Sequence, residues 1–462
     1  MALGELLEGD PGEVVVYLGG VATRRGELRA LVDAFTGALR DAELERCAIG
    51  VLGANSPTTI AAWFAVWNTG GAFVPLNPRV PAAERERAIE ITGAAAVLDV
   101  AGGELRALTP AQPRRLDGSE AIIQFTSGTT GPPKAVPLRH DTIQGLLDGV
   151  IGTLRGKQPG ERARMPNLVP VSLSLWAGVY QVLFAFTLGV PVVLMEQFSA
   201  GEFARLVREH GIRSSVLPPA ALVMLLQDPE VTSLEPLRYV RSVSAPLSPT
   251  HARAFHERFG VGILNGYGQT ELGGEVVGWS AADWKQFGAS KLGAVGRPHA
   301  GIEVRVQDDE LQVRSAAASA ERGGAGDAAA LADRLTEDGW LRTGDLARID
   351  DDGFVWIEGR VSSMINRGGL KIFPDEVEEH LREYPGVRDA AVTGVPDDRL
   401  GEVPWAFLVL GPGATLDAEA LRAWCRERMA PYKIPAGVTF VDELPRNEIG
   451  KLLRQDLTNR SE

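Results

Sequence analysis

The chain has 462 residues, more than one hydrophobic core organises and enough for two or three. Its 47 Lys and Arg against 60 Asp and Glu leave a formal net charge of −13, which disfavours nucleic acid and anionic membranes as partners. Cys47 and Cys425 stand far apart and the six histidines make no HExxH pair, so buried thiols of a reducing cytoplasm are expected and a metal would arrive only with a substrate.

The opening MALGELLEGDPGE has acidic residues where a secretory leader needs a basic and then an apolar stretch. CAIGVLG (47–53) reads as a buried strand, Ser56 and Pro57 as the cap and first residue of an apolar helix, and AFVPL as a second strand. This rhythm predicts a parallel sheet with covering helices. The uncharged run from Leu168 to Met195 is broken by Pro170, Gly178, Gly189 and Pro191, which predicts a buried helix and strand and no membrane span.

Between about 290 and 357, IEVRVQ, ELQVRS and GFVWIEG alternate as antiparallel hairpins do. The Ala/Gly-rich stretch from Ser315 to Ala332 lacks periodicity and is expected to be a mobile surface loop. Pro374 opens a helix with Val377, Leu381 and Tyr384 on one face. The strands DAAVTGV and PWAFLVL follow, then a helix carrying Leu421, Trp424, Cys425 and Arg428. The fold class is therefore α/β: a large N-terminal domain (1–360) of layered parallel sheets with a β-rich subdomain, and a small mobile α+β C-terminal domain (361–462).

The chemistry is most legible in IIQFTSGTTGPPKAV (122–136). An apolar strand runs into Thr126, Ser127, Gly128, Thr129, Thr130 and Gly131, followed by Lys134. Glycines let backbone N–H groups turn toward an anion, hydroxyls add donors and the lysine adds charge, a combination suited to a polyphosphate. GxxxxGK[ST] cannot be fitted, so this is not a Walker A loop.

This loop resembles that of the adenylate-forming superfamily of acyl-CoA synthetases, adenylation domains and luciferases. The resemblance continues in order through AFVPLNP, NGYGQTE, GAVGRP, RTGDLARIDDDGFVWIEGR, INRGGLKIFPDEVE and PRNEIGKLLR, covering almost the whole chain. It implies that a carboxylate reacts with ATP to give an acyl-AMP and pyrophosphate, after which the thiol of CoA displaces AMP. Tyr267 is then expected to stack on adenine beside Ser244, Ala245, Pro246 and Gly266, with Asn265 at the ring edge and Gly268 and Gln269 completing the motif. Thr270 would donate to the α-phosphate and Glu271 would help hold Mg²⁺ brought with ATP. Asp345 would accept from both ribose hydroxyls, as a carboxylate with two oxygens can, and Arg360 would reach the same ribose. Lys451 is expected to swing onto the carboxylate and α-phosphate during adenylation. Gly368 and Gly369 would admit the pantetheine arm, and Lys371 would meet a CoA phosphate.

Some positions depart from the pattern. Leu173 stands where many acyl-CoA synthetases have a histidine, and Val243 where glycine is usual; with Trp176 they imply an apolar, bulky acyl pocket. The hinge position is Ser362, followed by Ser363, in place of Asp or Lys, and Ala135 follows Lys134 in place of glycine. The expected function is acyl-CoA ligation from a free acid. Two alternatives stay open: an enzyme performing chiefly the second half-reaction, from acyl-AMP and CoA, and a stand-alone adenylate former that loads a carrier protein. A non-catalytic nucleotide-binding module is disfavoured by the intact Thr270, Asp345, Arg360 and Lys451.

Overall fold

The computed structural model describes residues 3–102, 104–107, 115–126, 134–155, 165–269, 272, 274–288, 290–315, 334–446 and 452–458. The first sheet has six strands, four of them parallel: Ala96–Asp99, Ala48–Leu52, Ala72–Leu76 and Glu120–Thr126. Antiparallel strands Glu104–Ala107 and Lys134–Arg139 close its two edges. The helix Pro57–Asn68 starts as its sequence requires: Ser56 accepts from the backbone N–H of Thr59 and Pro57 takes the first helical position. Residues 59–67 of this helix are all buried, which explains an apolar sequence with no polar face. Trp63 stacks on Phe73 of the sheet at 5.2 Å between ring centroids.

Residues 168–195 form a helix, Trp176–Leu188, and the strand Val192–Leu194, joined through Gly189 in the left-handed conformation. That strand lies between Val14–Leu18 and Asn167–Val169, both parallel to it, in a second sheet. Among the described residues no helix is long and apolar enough to cross a membrane. A third sheet sets Ser214–Leu217, Tyr239–Ser242 and Gly262–Gln269 in parallel and adds Gly274–Gly278 and Arg297–Pro298 antiparallel. Its central strands end in the segments 243–246 and 265–269, so these candidate nucleotide residues come together at the carboxyl end of the parallel strands.

The β-rich region is a four-stranded antiparallel sheet of Glu303–Gln307, Glu310–Arg314, Leu341–Ile349 and Val355–Arg360. Residues 316–333 lie outside the described residues, and with them most of the stretch expected to be a loop. The strand Val355–Arg360 runs into a short turn, Val361–Ser363, containing the exposed Ser362. Beyond it, the long pair Val387–Asp397 and Gly401–Leu410 packs against the helices Pro374–Arg382 and Ala418–Arg428. Val377, Leu381, Leu421 and Cys425 are buried in that core and Tyr384 packs at its edge. Both cysteines are free and buried.

Candidate active site

The best-defined part of the site joins the third sheet to the β-rich sheet. Tyr267 and Gln269 alternate with glycines along one strand and therefore share a face. The Tyr267 hydroxyl donates to Asp345 Oδ2 at 2.6 Å, and Gln269 Nε2 donates to the same oxygen at 2.7 Å. Arg360, paired in register with Asp345 on the neighbouring strand, donates from Nε to Oδ1 at 2.8 Å. Gln269 Nε2 also donates to the Thr343 carbonyl at 2.9 Å, while its Oε1 accepts from Arg334 at 2.8 Å.

Asp345 is only 3% exposed, so these donors are what make its buried charge tolerable. Burial raises the pKa of Tyr267 well above the usual phenol value, and the adjacent Asp345 charge pushes it the same way; the ring stays a neutral donor. Both Asp345 oxygens thus have protein partners, whereas the sequence expectation reserved them for ribose. Each carboxylate oxygen has two lone pairs: Tyr267 and Gln269 take both on Oδ2, so a ribose hydroxyl can join Arg360 at Oδ1 without displacing it, whereas a second one at Oδ2 would replace one of the two donors there.

Ser244 has φ +78°, a left-handed conformation costly for a side chain other than glycine. It is exposed with Pro246, beside the half-buried Val243 and Ala245, and this strained turn follows directly on the strand Tyr239–Ser242. Asn265 is buried; its Oδ1 accepts from the Gly266 N–H at 3.1 Å and its Nδ2 donates to the Ala294 carbonyl at 3.4 Å. Gly268 has a backbone requirement of its own, since a Cβ there would meet the Gly274 carbonyl oxygen at 1.8 Å.

The expected phosphate loop and catalytic groups fall largely elsewhere. Ser127, Gly128, Thr129, Thr130, Thr270, Glu271 and Lys451 lie outside the described residues, while Thr126 and Lys134 are described only as ends of antiparallel strands. No cluster of three or more His, Cys, Asp or Glu side chains suited to a metal occurs among the described residues. The described residues that flank Lys451 in sequence, Arg446, Leu452 and Arg454, have partners of their own. Arg446 forms a β-bridge with Leu452 and donates to Asp389 at 2.7 Å, and Arg454 pairs with Glu378 and Asp375. Glu378, 3% exposed, also accepts from the Val392 N–H at 2.8 Å, and its carboxyl titrates below the usual glutamate range. Burial opposes that ionisation, and Arg454 and Arg382 overcome it.

Gly368 and Gly369 form the two-residue turn of the hairpin Ile365–Arg367 and Leu370–Ile372, with φ +59° and +90°. Such a turn requires glycine whatever approaches it. Lys371 is exposed on this hairpin. Leu173 is fully buried in the N-terminal core, and Trp176 is half-buried at the start of its helix. Asn55, which sequence reasoning missed, fixes this segment: its Nδ2 donates to the carbonyls of Val171 and Met195 at 2.9 and 2.7 Å, and its Oδ1 accepts from Leu173 N–H at 2.7 Å. Its position in GANSP, just beyond a buried strand, was the available signal.

The AMP-binding enzyme model matches residues 7–117 and 101–321, and the AMP-binding enzyme C-terminal domain model matches 376–451. A feruloyl-CoA synthase from Amycolatopsis sp is 30% identical over 97% of this chain and 96% of its own. A sulfoacetate–CoA ligase from Cupriavidus necator is 34% identical over 77% of this chain and 70% of its own. The o-succinylbenzoate CoA synthetase MenE from Bacillus subtilis has been solved with its acyl-adenylate intermediate OSB-AMP (26% identity, TM-score 0.82, covering 98% of this chain and 97% of that one). It has also been solved with ATP and magnesium ion (25% identity, TM-score 0.82, 98% of each chain). The chain belongs to the AMP-binding enzyme family.

Proposed function

We infer that the protein is an AMP-forming acyl-CoA ligase. In the first step a carboxylate oxygen attacks the α-phosphorus of ATP, the bond to the β-phosphate oxygen breaks, and acyl-AMP and pyrophosphate form. In the second, the thiol sulfur of CoA attacks the acyl carbonyl, the thiol proton is lost, and AMP leaves with the electrons of the anhydride bond. Tyr267, Asn265 and the strained Ser244 turn would hold adenine, and Asp345 with Arg360 the ribose. Thr270 and Lys451 would meet the charge that develops on the α-phosphate, where positioned donors and cations lower the barrier most. Mg²⁺ would enter with ATP and shield its phosphates, with Glu271 as its protein ligand. Gly368, Gly369 and Lys371 would face CoA in the second step.

The observation that carries this reading is the linkage of Asp345 to both Arg360 and the Tyr267–Gln269 strand, since it joins the proposed ribose acceptor directly to the proposed adenine platform. A carboxylic acid, ATP, Mg²⁺ and CoA are the reactants. The test is to mix a panel of acids with ATP and Mg²⁺, following pyrophosphate, and then to add CoA or a phosphopantetheinylated carrier protein, following thioester. Pyrophosphate and AMP in equal amounts with CoA consumed supports the ligase. Thioester formed only on the carrier would move the acceptor from CoA to protein.

A further inference from the structure

Outside the turn Val361–Ser363, one hydrogen bond joins described residues of the two domains: the Thr250 N–H donates to Glu379 Oε1 at 2.8 Å. Thr250 is the second residue of the helix Pro249–Phe259, and N–H groups in a first turn have no carbonyl one turn back to donate to. Ser248 caps this helix by accepting from the His251 N–H at 3.3 Å, and Pro249 has no N–H to satisfy. Thr250 is left, and the C-terminal domain supplies its acceptor. A carboxylate there also meets the positive end of the helix dipole. Glu379 is half-buried at this contact, and its second oxygen lies 3.6 Å from Arg382.

The contact lies between the nucleotide groups and the residues around Lys451. On the large-domain side, Thr250 follows Pro246 by four residues, so the capped helix continues directly from the strained turn at Ser244. On the other side, Glu379 belongs to the helix Pro374–Arg382, which through Asp375 and Glu378 holds Arg454, three residues beyond Lys451. Phe373, just before that helix, reaches Gly359, where a Cβ would stand 3.5 Å from its side chain, beside the Arg360 that holds Asp345. One short helix therefore ties a neighbour of Lys451 to both edges of the nucleotide constellation. The Gly368–Gly369 turn has no such link. Its two N–H groups donate within the C-terminal domain, to the Leu400 carbonyl at 2.7 Å and to Asn366 Oδ1 at 2.9 Å, and both glycines are exposed.

We propose that Glu379 is a positioning residue for the first half-reaction: bound to the Thr250 N–H, it holds the C-terminal domain in the arrangement that presents Lys451 to the α-phosphate, and it lets go before the Gly368–Gly369 turn takes that place. The proposal rests on the ligase reading and assigns the arrangement described here to acyl-AMP formation. Glu379 touches no reactant. A contact made in one of two arrangements stabilises that one alone, so it sets how often Lys451 is in place and not what Lys451 does there. Its loss therefore acts on the two half-reactions unequally.

The test compares single-turnover rates of pyrophosphate release from the best acid of the panel with ATP and Mg²⁺, and of thioester formation from the matching synthetic acyl-AMP with CoA. Glu379→Ala should slow the first by about three- to tenfold, the range of a charge at a helix N-terminus, and leave the second unchanged or faster. Glu379→Gln keeps an acceptor oxygen for Thr250 and loses the charge, so it should lie between Glu379→Ala and the parent. AMP affinity by calorimetry should stay at the parent value in both variants, because the Tyr267–Asp345–Arg360 linkage is untouched. Equal losses in the two half-reactions, a loss confined to thioester formation, or no change in either overturns the assignment. A parent that releases no pyrophosphate with any acid and makes no thioester from acyl-AMP removes the ligase reading, and this one with it.

Discussion

Tyr267 and Asp345, 78 residues apart in sequence, are joined by a 2.6 Å hydrogen bond that ties the third sheet of the large domain to its β-rich sheet. Because Arg360 holds the other oxygen of Asp345, this carboxylate connects the candidate adenine platform to the end of the strand that leads into the C-terminal domain. Asp345→Asn keeps the shape but removes the charge. A hydrogen bond to a charged group contributes roughly 1.5–3 kcal/mol, so AMP affinity should fall by about tenfold or more. Calorimetric titration with AMP checks this, melting temperature controls for fold, and unchanged affinity would remove Asp345 from the ribose site.

Lys451 is expected to act in one half-reaction only. Lys451→Ala should slow acyl-AMP formation by about 10²–10³-fold, the usual loss of a group that acts mainly in the transition state. Conversion of supplied acyl-AMP and CoA should continue at near the normal rate. Equal losses in both half-reactions would sink the assignment. The same pair of assays on the unmodified protein separates a two-step ligase from one specialised for the second step, in which acyl-AMP would far outperform free acid.

The anchors around Lys451 make a separate prediction. Arg454 is paired with the buried Glu378 and with Asp375, and truncating one partner of a buried pair typically costs about 3–5 kcal/mol. Arg454→Met should therefore lower the melting temperature and, because it loosens the segment after Lys451, slow adenylation more than thioesterification. Stability and both half-reactions unchanged would mean that the ion pair anchors nothing.

Sequence was most informative where one local rule decided the outcome. Ser56–Pro57 set a helix start, Gly189 a helix end, and alternation in 303–314 a hairpin. The motif around Tyr267 and Asp345 was legible as chemistry, but the hydrogen bond between them was not, because it depends on how two sheets dock. Asn55 and Glu275 were missed for a related reason. Each looks like an ordinary polar residue in the chain, and only packing shows that Asn55 satisfies three backbone groups and that Glu275 fills the space left by Gly266 and Gly278.

His251 gives a pH dependence with a definite sign. It follows the cap of the helix Pro249–Phe259, whose Thr250 N–H donates to Glu379 of the C-terminal domain at 2.8 Å. Burial first, then the positive charge of Arg382, lowers its pKa below the ordinary value; Arg446 adds to this, and Asp389 and Glu379 oppose it. Above about pH 6.5 the imidazole is neutral whether the protein is folded or unfolded and contributes nothing to pH dependence. As pH falls below that value the unfolded chain takes up the proton first, so stability is lost until the depressed folded-state pKa is passed. His140, half-buried and with its pKa lowered by that burial, acts in the same direction. Carboxylates contribute mainly at lower pH, so the interval from about pH 6.5 to 5.5 isolates the histidines. His251→Gln should flatten the fall in melting temperature across that interval without changing its slope between pH 7 and 8. An identical slope from pH 6.5 to 5.5 in the variant and the parent would show that His251 is not the group whose protonation the domain contact resists.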